Sequence, residues 1–134
     1  MANAGDTYTV ELKASHLGWG THRYTNTRPR LEGERYLPIP RRDAIRLNIV
    51  NSNATGGRDV LGQNIFNCCS RDGFFRAVFK AQGCVREGDI YAKQFSVDND
   101  LQALRTWYDH IGANVGTLVR VTWTSPTDIV IERI

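Results

Sequence analysis

The chain has 134 residues, which suits one domain with a buried core, and its 41% hydrophobic content excludes a disordered protein. Its formal net charge is only +3, but residues 16–46 hold seven arginines against three acidic residues, and such clustering indicates a polyanionic partner. No signal-peptide pattern, bilayer-length apolar run or disulfide framework is visible, so we expect a single cytoplasmic domain over residues 1–134.

The first half of the chain alternates short elements with polar segments. Thr7–Leu12 has the alternation of a strand, and residues 16–34 form an irregular arm rich in Gly, Thr, Asn and Arg. Arg35–Pro40 is a short strand with edge-type prolines, and Arg41–Leu47 is a short helix that follows a proline. Asn51–Arg58 has the composition of a loop.

The middle of the chain predicts a hairpin, a further strand and the clearest helix. Ile65–Cys69 and Phe74–Ala81 are strands that flank an Asp-Gly pair, which is typical of a hairpin turn. Asp89–Phe95 alternates as a strand. Asp98–His110 is a helix with apolar residues at helical spacing, a capping Asp or Asn at its start, and Gly112 after its end.

Two further strands, Thr117–Thr124 and Ile129–Ile134, close the chain around a turn. The count is about seven short strands and two short helices. It predicts a mainly β (α+β) fold, a seven-stranded open pseudobarrel with mostly antiparallel strands.

Metal and cofactor signals are weak. The three histidines are scattered, and Cys68 and Cys69 are adjacent, so they should point to opposite faces of a strand and cannot form a zinc set together. No Gly-rich phosphate-binding loop is present. We therefore expect no metal, no cofactor and no catalytic residue.

The catalytic alternative is a small metal-dependent nuclease that would use Asp128 and Glu132. These carboxylates share a face of the last strand, as Mg²⁺-dependent phosphodiester cleavage requires, but no lysine is near in sequence. A capped turn and a solvated strand face explain them better.

Recognition of DNA explains more of the sequence. In the segment Trp19–Arg35, arginines are interleaved with Tyr, Thr, Asn and Trp, and Arg and Asn are the side chains that pair with guanine and adenine edges. The predicted contacts in this first arm are Trp19, His22, Arg23, Tyr24, Thr25, Asn26, Arg28, Arg30 and Arg35.

Further predicted contacts lie later in the chain. Arg41, in the strand-helix element after the arm, is expected to hold a phosphate, and Arg58 belongs to a second polar loop. A third group surrounds a predicted β-ribbon, in which Tyr91, Lys93 and Phe95 are expected to share one face with Lys80 and Gln82. Its predicted contacts are Lys80, Gln82, Tyr91, Lys93, Gln94 and Ser96.

The order of these parts resembles the DNA-binding pseudobarrel superfamily, which includes the plant B-three domain and effector domains of bacterial restriction enzymes. The run Tyr36–Ala44 (YLPIPRRDA) is similar to that family's opening of strand, Ile-Pro, basic residue and short helix. The strand Phe74–Lys80, the helix Leu101–His110 and the run Val115–Val121 follow in the family's order, over roughly residues 12–133. Thr117 stands where the family has an acidic residue.

The resemblance implies a major-groove DNA-binding domain that grips duplex DNA with two arms, here Trp19–Arg35 and Gln82–Ser96. It also implies a bacterial restriction or regulatory context, and either a separate nuclease or other effector subunit or a solo role. No membrane partner is expected, because no apolar run is long enough to span a bilayer. A module that uses the Arg-rich arm to bind a protein or RNA is the remaining alternative.

Overall fold

The computed structural model describes residues 2–14, 16, 35–100 and 103–134. Within these ranges the chain forms seven strands and three short helices. The strands are β1 (Thr7–Glu11), β2 (Leu37–Pro38), β3 (Ile65–Ser70), β4 (Arg76–Gln82), β5 (Gln94–Val97), β6 (Leu118–Ser125) and β7 (Asp128–Arg133). The helices are α1 (Arg41–Leu47), α2 (Ser52–Thr55) and α3 (Leu104–His110).

All seven strands belong to one sheet, in the order β1-β6-β7-β3-β4-β5-β2, which is nearly closed into a barrel. Every pair of neighbours is antiparallel except β3 and β7, which run parallel. The two edge strands approach each other, and the Tyr8 hydroxyl of β1 donates a hydrogen bond of 3.1 Å to the Pro38 carbonyl of β2. The predicted mainly β pseudobarrel is therefore confirmed.

The core lies inside this sheet and is built from alternate residues of the strands. Phe66 is at its centre, with its ring edge-on to Phe95 at 5.7 Å and to Trp123 at 5.9 Å between ring centroids. Cys68 points inward and is buried, whereas Cys69 is half-buried, as the strand alternation predicts. Aromatic rings at these distances fill the interior with large apolar area.

The helix count differs from the prediction because a short helix forms inside the expected loop Asn51–Arg58. The Asn51 side chain accepts a hydrogen bond of 2.9 Å from the Asn53 amide, and Gly56 ends α2 in the left-handed region at φ 65°. These are the two end signals that a helix needs. The prediction of α1 over Arg41–Leu47 is confirmed with the same bounds.

The predicted strand Arg35–Pro40 is shorter in the structure, where β2 is Leu37–Pro38, and two predicted starts were wrong by more than two residues. The strand expected over Asp89–Phe95 is β5, Gln94–Val97, because the preceding residues bond to the 49–51 segment instead; the Ala92 amide, for example, donates to the Ile49 carbonyl at 3.1 Å. α3 begins at Leu104 after Ala103, with no side-chain cap, so Asp98–Asp100 do not cap it. None of the helices in the described ranges is long and apolar enough to cross a membrane.

Candidate nucleic-acid interface

Most of the first predicted arm lies outside the described residues. This applies to Trp19, His22, Arg23, Tyr24, Thr25, Asn26, Arg28 and Arg30. The described residues on either side of it meet, because the Tyr36 amide donates to the His16 carbonyl at 3.4 Å. Arg35 is half-buried at the entry to β2. His16 and Tyr36, on the two sides of the segment that is not described, thus lie next to each other just before β2.

The second arm, Gln82–Ser96, is held to the barrel by the buried side chain of Asn51. Its Nδ2 donates to the Gly83 carbonyl and to the Asp89 carbonyl, each at 2.9 Å, and so joins the outgoing and returning halves of the loop. The Asn51 backbone amide adds a third bond, to the Ile90 carbonyl at 2.9 Å. A buried amide that satisfies carbonyls on both sides of a loop fixes the shape of that loop.

Arg41, at the start of α1, is bound to the second arm. Its guanidinium forms a hydrogen-bonded ion pair with Asp89, whose side chain is only 6% exposed, while that of Arg41 is 38% exposed. The Arg41 guanidinium also lies 5.9 Å from the centre of the Tyr91 ring. The hydrogen bond from Arg41, followed by one from the Tyr91 amide, lowers the pKa of Asp89 against the opposing effect of desolvation, so the carboxylate stays charged.

The strands β4 and β5 bring the predicted ribbon residues together in a different arrangement from the expected one. The register pairs Gln82 with Gln94 and Lys80 with Ser96, which puts these four on one face. Phe95 faces the core opposite Ala81, so the predicted face shared by Phe95 and Lys80 was wrong by one residue. Ser96 is only 2% exposed, so its predicted role as a surface contact is not supported by its position.

The basic residues of this region differ in how they are used. Lys80 is half-buried and forms an ion pair with Asp59 at 3.1 Å, which ties β4 to the loop before β3. Arg58, Arg86 and Lys93 are exposed. Of the predicted cations, Arg58 and Lys93 are therefore presented to solvent, whereas Lys80 also has a structural partner.

The carboxylates of the nuclease alternative both have structural partners. Asp128 accepts hydrogen bonds from Ser125, Thr127 and Asn67, in that order of importance, and these lower its pKa. Glu132 is paired with Arg71 and, at 3.4 Å, with Arg120. Among the residues that the structure describes, no group of three His, Cys, Asp or Glu side chains could hold a metal ion.

Comparisons with known proteins define the class of fold and go no further. The chain matches no protein-family model. It matches no curated protein sequence either. Among solved structures it is similar to a hypothetical protein of Arabidopsis thaliana, with a TM-score of 0.51 and 6% identity over 100% of this chain and 94% of that one. At this identity the similarity concerns the fold alone.

Sequence reasoning missed the residues that position the second arm. Asn51 was only part of a polar loop, and Asp89 was only the start of a strand. The available signal for Asn51 was its place before Ser-Asn-Ala-Thr-Gly, a helix start followed by a glycine stop. No local signal pairs Asp89 with Arg41, because 48 residues separate them.

Proposed function

We propose that this chain is a sequence-specific module that binds double-stranded DNA in the major groove with two arms and leaves any catalysis to a partner subunit. The observation that carries the proposal is the contact of Arg41 with Asp89 and Tyr91 of the second arm. A buried carboxylate holds a partly exposed guanidinium against an aromatic ring.

This arrangement prepares Arg41 for an anionic ligand. A guanidinium has five N–H donors in a rigid fork, and Asp89 engages its Nη1. Fixing the fork in advance reduces the side-chain entropy that binding would otherwise cost. Exposed Lys93, on the same arm, adds a second positive charge that can contact a phosphate.

The fold supports the same function. A nearly closed seven-stranded barrel, in which β2 is followed by Ile39-Pro40 and then α1, agrees with the resemblance to the DNA-binding pseudobarrel superfamily. On that reading the first arm, with Arg23 and Arg28, reads bases, and the second arm reads bases and holds the backbone. The family's bacterial members suggest a restriction or regulatory setting.

A gel-shift titration of the purified chain against random duplex pools, at rising salt, tests the proposal. Each phosphate contact contributes about −0.9 to the slope of log K against log salt concentration. Arg41→Ala and Lys93→Ala should therefore each make the slope less negative by about 0.9. Arg120→Ala is the matched control, because Arg120 is an exposed arginine on β6, on the far side of β7 and β3 from β4.

The outcomes separate the alternatives. Duplex binding that weakens with Arg41→Ala and not with Arg120→Ala supports the proposal. An absence of duplex binding at low salt contradicts it. Equal competition by single-stranded RNA favours the RNA-binding alternative, and Mg²⁺-dependent cleavage lost in Glu132→Ala favours the nuclease.

A further inference from the structure

We propose that the turn of the second arm recognises the 5-methyl group of a pyrimidine base, and that Val85 and Ile90 make this contact. The inference rests on the proposed DNA-binding function and names what the second arm reads. Thymine and 5-methylcytosine both carry this methyl group in the major groove.

The turn presents two aliphatic side chains to solvent. The Asp89 amide donates to the Arg86 carbonyl at 3.1 Å, and Gly88 adopts φ 80°, which closes a four-residue turn over Arg86–Asp89. Val85 precedes this turn and Ile90 follows it. Val85 is 62% exposed, the highest value for a large apolar side chain in the described part of the chain, and Ile90 is 41% exposed.

The anchoring of the arm keeps these side chains out of the core. The Asn51 side chain and backbone bind the carbonyls of Gly83, Asp89 and Ile90, on both sides of the turn. For the turn to fold back so that Val85 or Ile90 is buried against the barrel, the part-buried hydrogen bonds between Asn51 and the arm would have to break. The exposed aliphatic surface is thus a fixed feature of the arm and is available to a ligand.

The major groove offers such surface one apolar partner. The 5-methyl group of thymine is the apolar group on the base edges there, and aliphatic side chains contact it directly. Arg86, within the turn, supplies a fork for a neighbouring guanine edge or phosphate. The combination of Val85, Arg86 and Ile90 therefore suits a 5-methylpyrimidine next to a hydrogen-bonding group.

Duplexes selected by the wild-type chain are resynthesised in two forms: one with deoxyuridine in place of thymidine, and one with 5-methylcytosine in place of cytosine. Loss of a contacted methyl should weaken wild-type binding about threefold or more, and gain of one should strengthen it similarly. Val85→Ala and Ile90→Ala should each reduce the difference in affinity between methylated and unmethylated forms. Val85→Thr keeps the branched shape and one methyl group that can contact the base, so it should retain part of the effect. Val115→Ala, at an exposed valine (54%) before β6, should retain all of it.

The two base replacements, deoxyuridine for thymidine and 5-methylcytosine for cytosine, distinguish the sources of the methyl group. A Val85-dependent loss with deoxyuridine assigns thymine, and a Val85-dependent gain with 5-methylcytosine assigns the modified base; either result supports the inference. The inference is overturned, while DNA binding stands, if duplex binding does not respond to either base replacement. It is also overturned if the methyl effect is unchanged in both Val85→Ala and Ile90→Ala. Failure to bind any duplex overturns DNA binding and the inference together.

Discussion

Asn51 uses all of its hydrogen-bonding groups, and this explains why a buried amide is placed between a helix and a loop. Its Oδ1 accepts from the Asn53 amide at the start of α2, while its Nδ2 donates to the Gly83 and Asp89 carbonyls of the second arm. Because Asn51 is only 4% exposed, water cannot readily replace it. The geometry of the proposed interface thus depends on one side chain that is almost fully buried.

Asn51→Ala should therefore destabilise the protein by about 2–4 kcal/mol, since it removes a helix cap, the side-chain donor to the Gly83 carbonyl and one of the two side-chain donors to the Asp89 carbonyl. Asn53→Ala is the matched control, because that exposed amide makes a single bond to the Asp89 carbonyl, and its loss should cost less than about 1 kcal/mol. Urea denaturation measures both. In hydrogen exchange, Asn51→Ala should also lose protection across residues 83–93. Equal effects of the two variants would contradict the role given to Asn51.

At the scale of elements, the turn between β3 and β4 is fastened to α3 through Asp72. This carboxylate accepts hydrogen bonds from the Ser70 hydroxyl, the Phe74 amide (2.9 Å) and the Trp107 indole (3.3 Å). His110 lies 3.8 Å from it and stacks on Phe74, with ring centroids 3.7 Å apart. The turn and the helix thus share one set of contacts centred on a charged acceptor.

These contacts predict a pH dependence of stability. The hydrogen bond from Ser70, then that from the Phe74 amide, lowers the pKa of Asp72 below its ordinary value. The unfolded chain, with an ordinary aspartate pKa of about 3.9, therefore binds the proton first as the pH falls. Stability from Asp72 is present above that value and is lost as the pH falls through the lower pKa of the folded state.

Asp72→Asn should flatten the decline of the melting temperature between about pH 5 and pH 2, while Asp109→Asn, on the exposed face of α3, should leave it unchanged. Part of the decline should remain in Asp72→Asn, because the pKa values of Asp89 and Asp128 are lowered as well. Parallel curves for wild type and Asp72→Asn would show that the charge of Asp72 does not contribute to stability.

Elements were predictable from sequence where local signals decide them. α1 follows Pro40, which cannot continue a strand ladder, and it ends at Asn48 in the left-handed region at φ 54°. β5 was misplaced because its neighbours in space, the 49–51 segment and β4, decide which residues pair. The same holds for the site: Arg41 could be named from sequence as a candidate contact, whereas its ion pair with Asp89 depends on the tertiary fold.

At the scale of the whole molecule, the barrel closes without a complete ladder of hydrogen bonds between its edge strands. Tyr8 of β1 reaches the Pro38 carbonyl of β2, and Arg46 of α1 donates to the Thr7 carbonyl at 2.9 Å while paired with Asp43 at the same distance. β2 has only two residues, so side chains replace the missing backbone pairs. α1 is therefore joined to β1 through Arg46.

Tyr8→Phe should weaken the contact between the edge strands β1 and β2 with little change in packing. The ring stays buried beside Trp123, but the Pro38 carbonyl loses its donor, at an expected cost of about 1–2 kcal/mol by urea denaturation. Tyr91→Phe is the matched control, because the structure records contacts of the Tyr91 ring and backbone but no hydrogen bond from its hydroxyl. Faster hydrogen exchange of the β1 amides in Tyr8→Phe, with the β3 and β4 amides unchanged, would show that the loss of stability is local to the contact between β1 and β2. If Tyr8→Phe unfolds at the same urea concentration as Tyr91→Phe, then core packing and α1 alone hold the barrel closed.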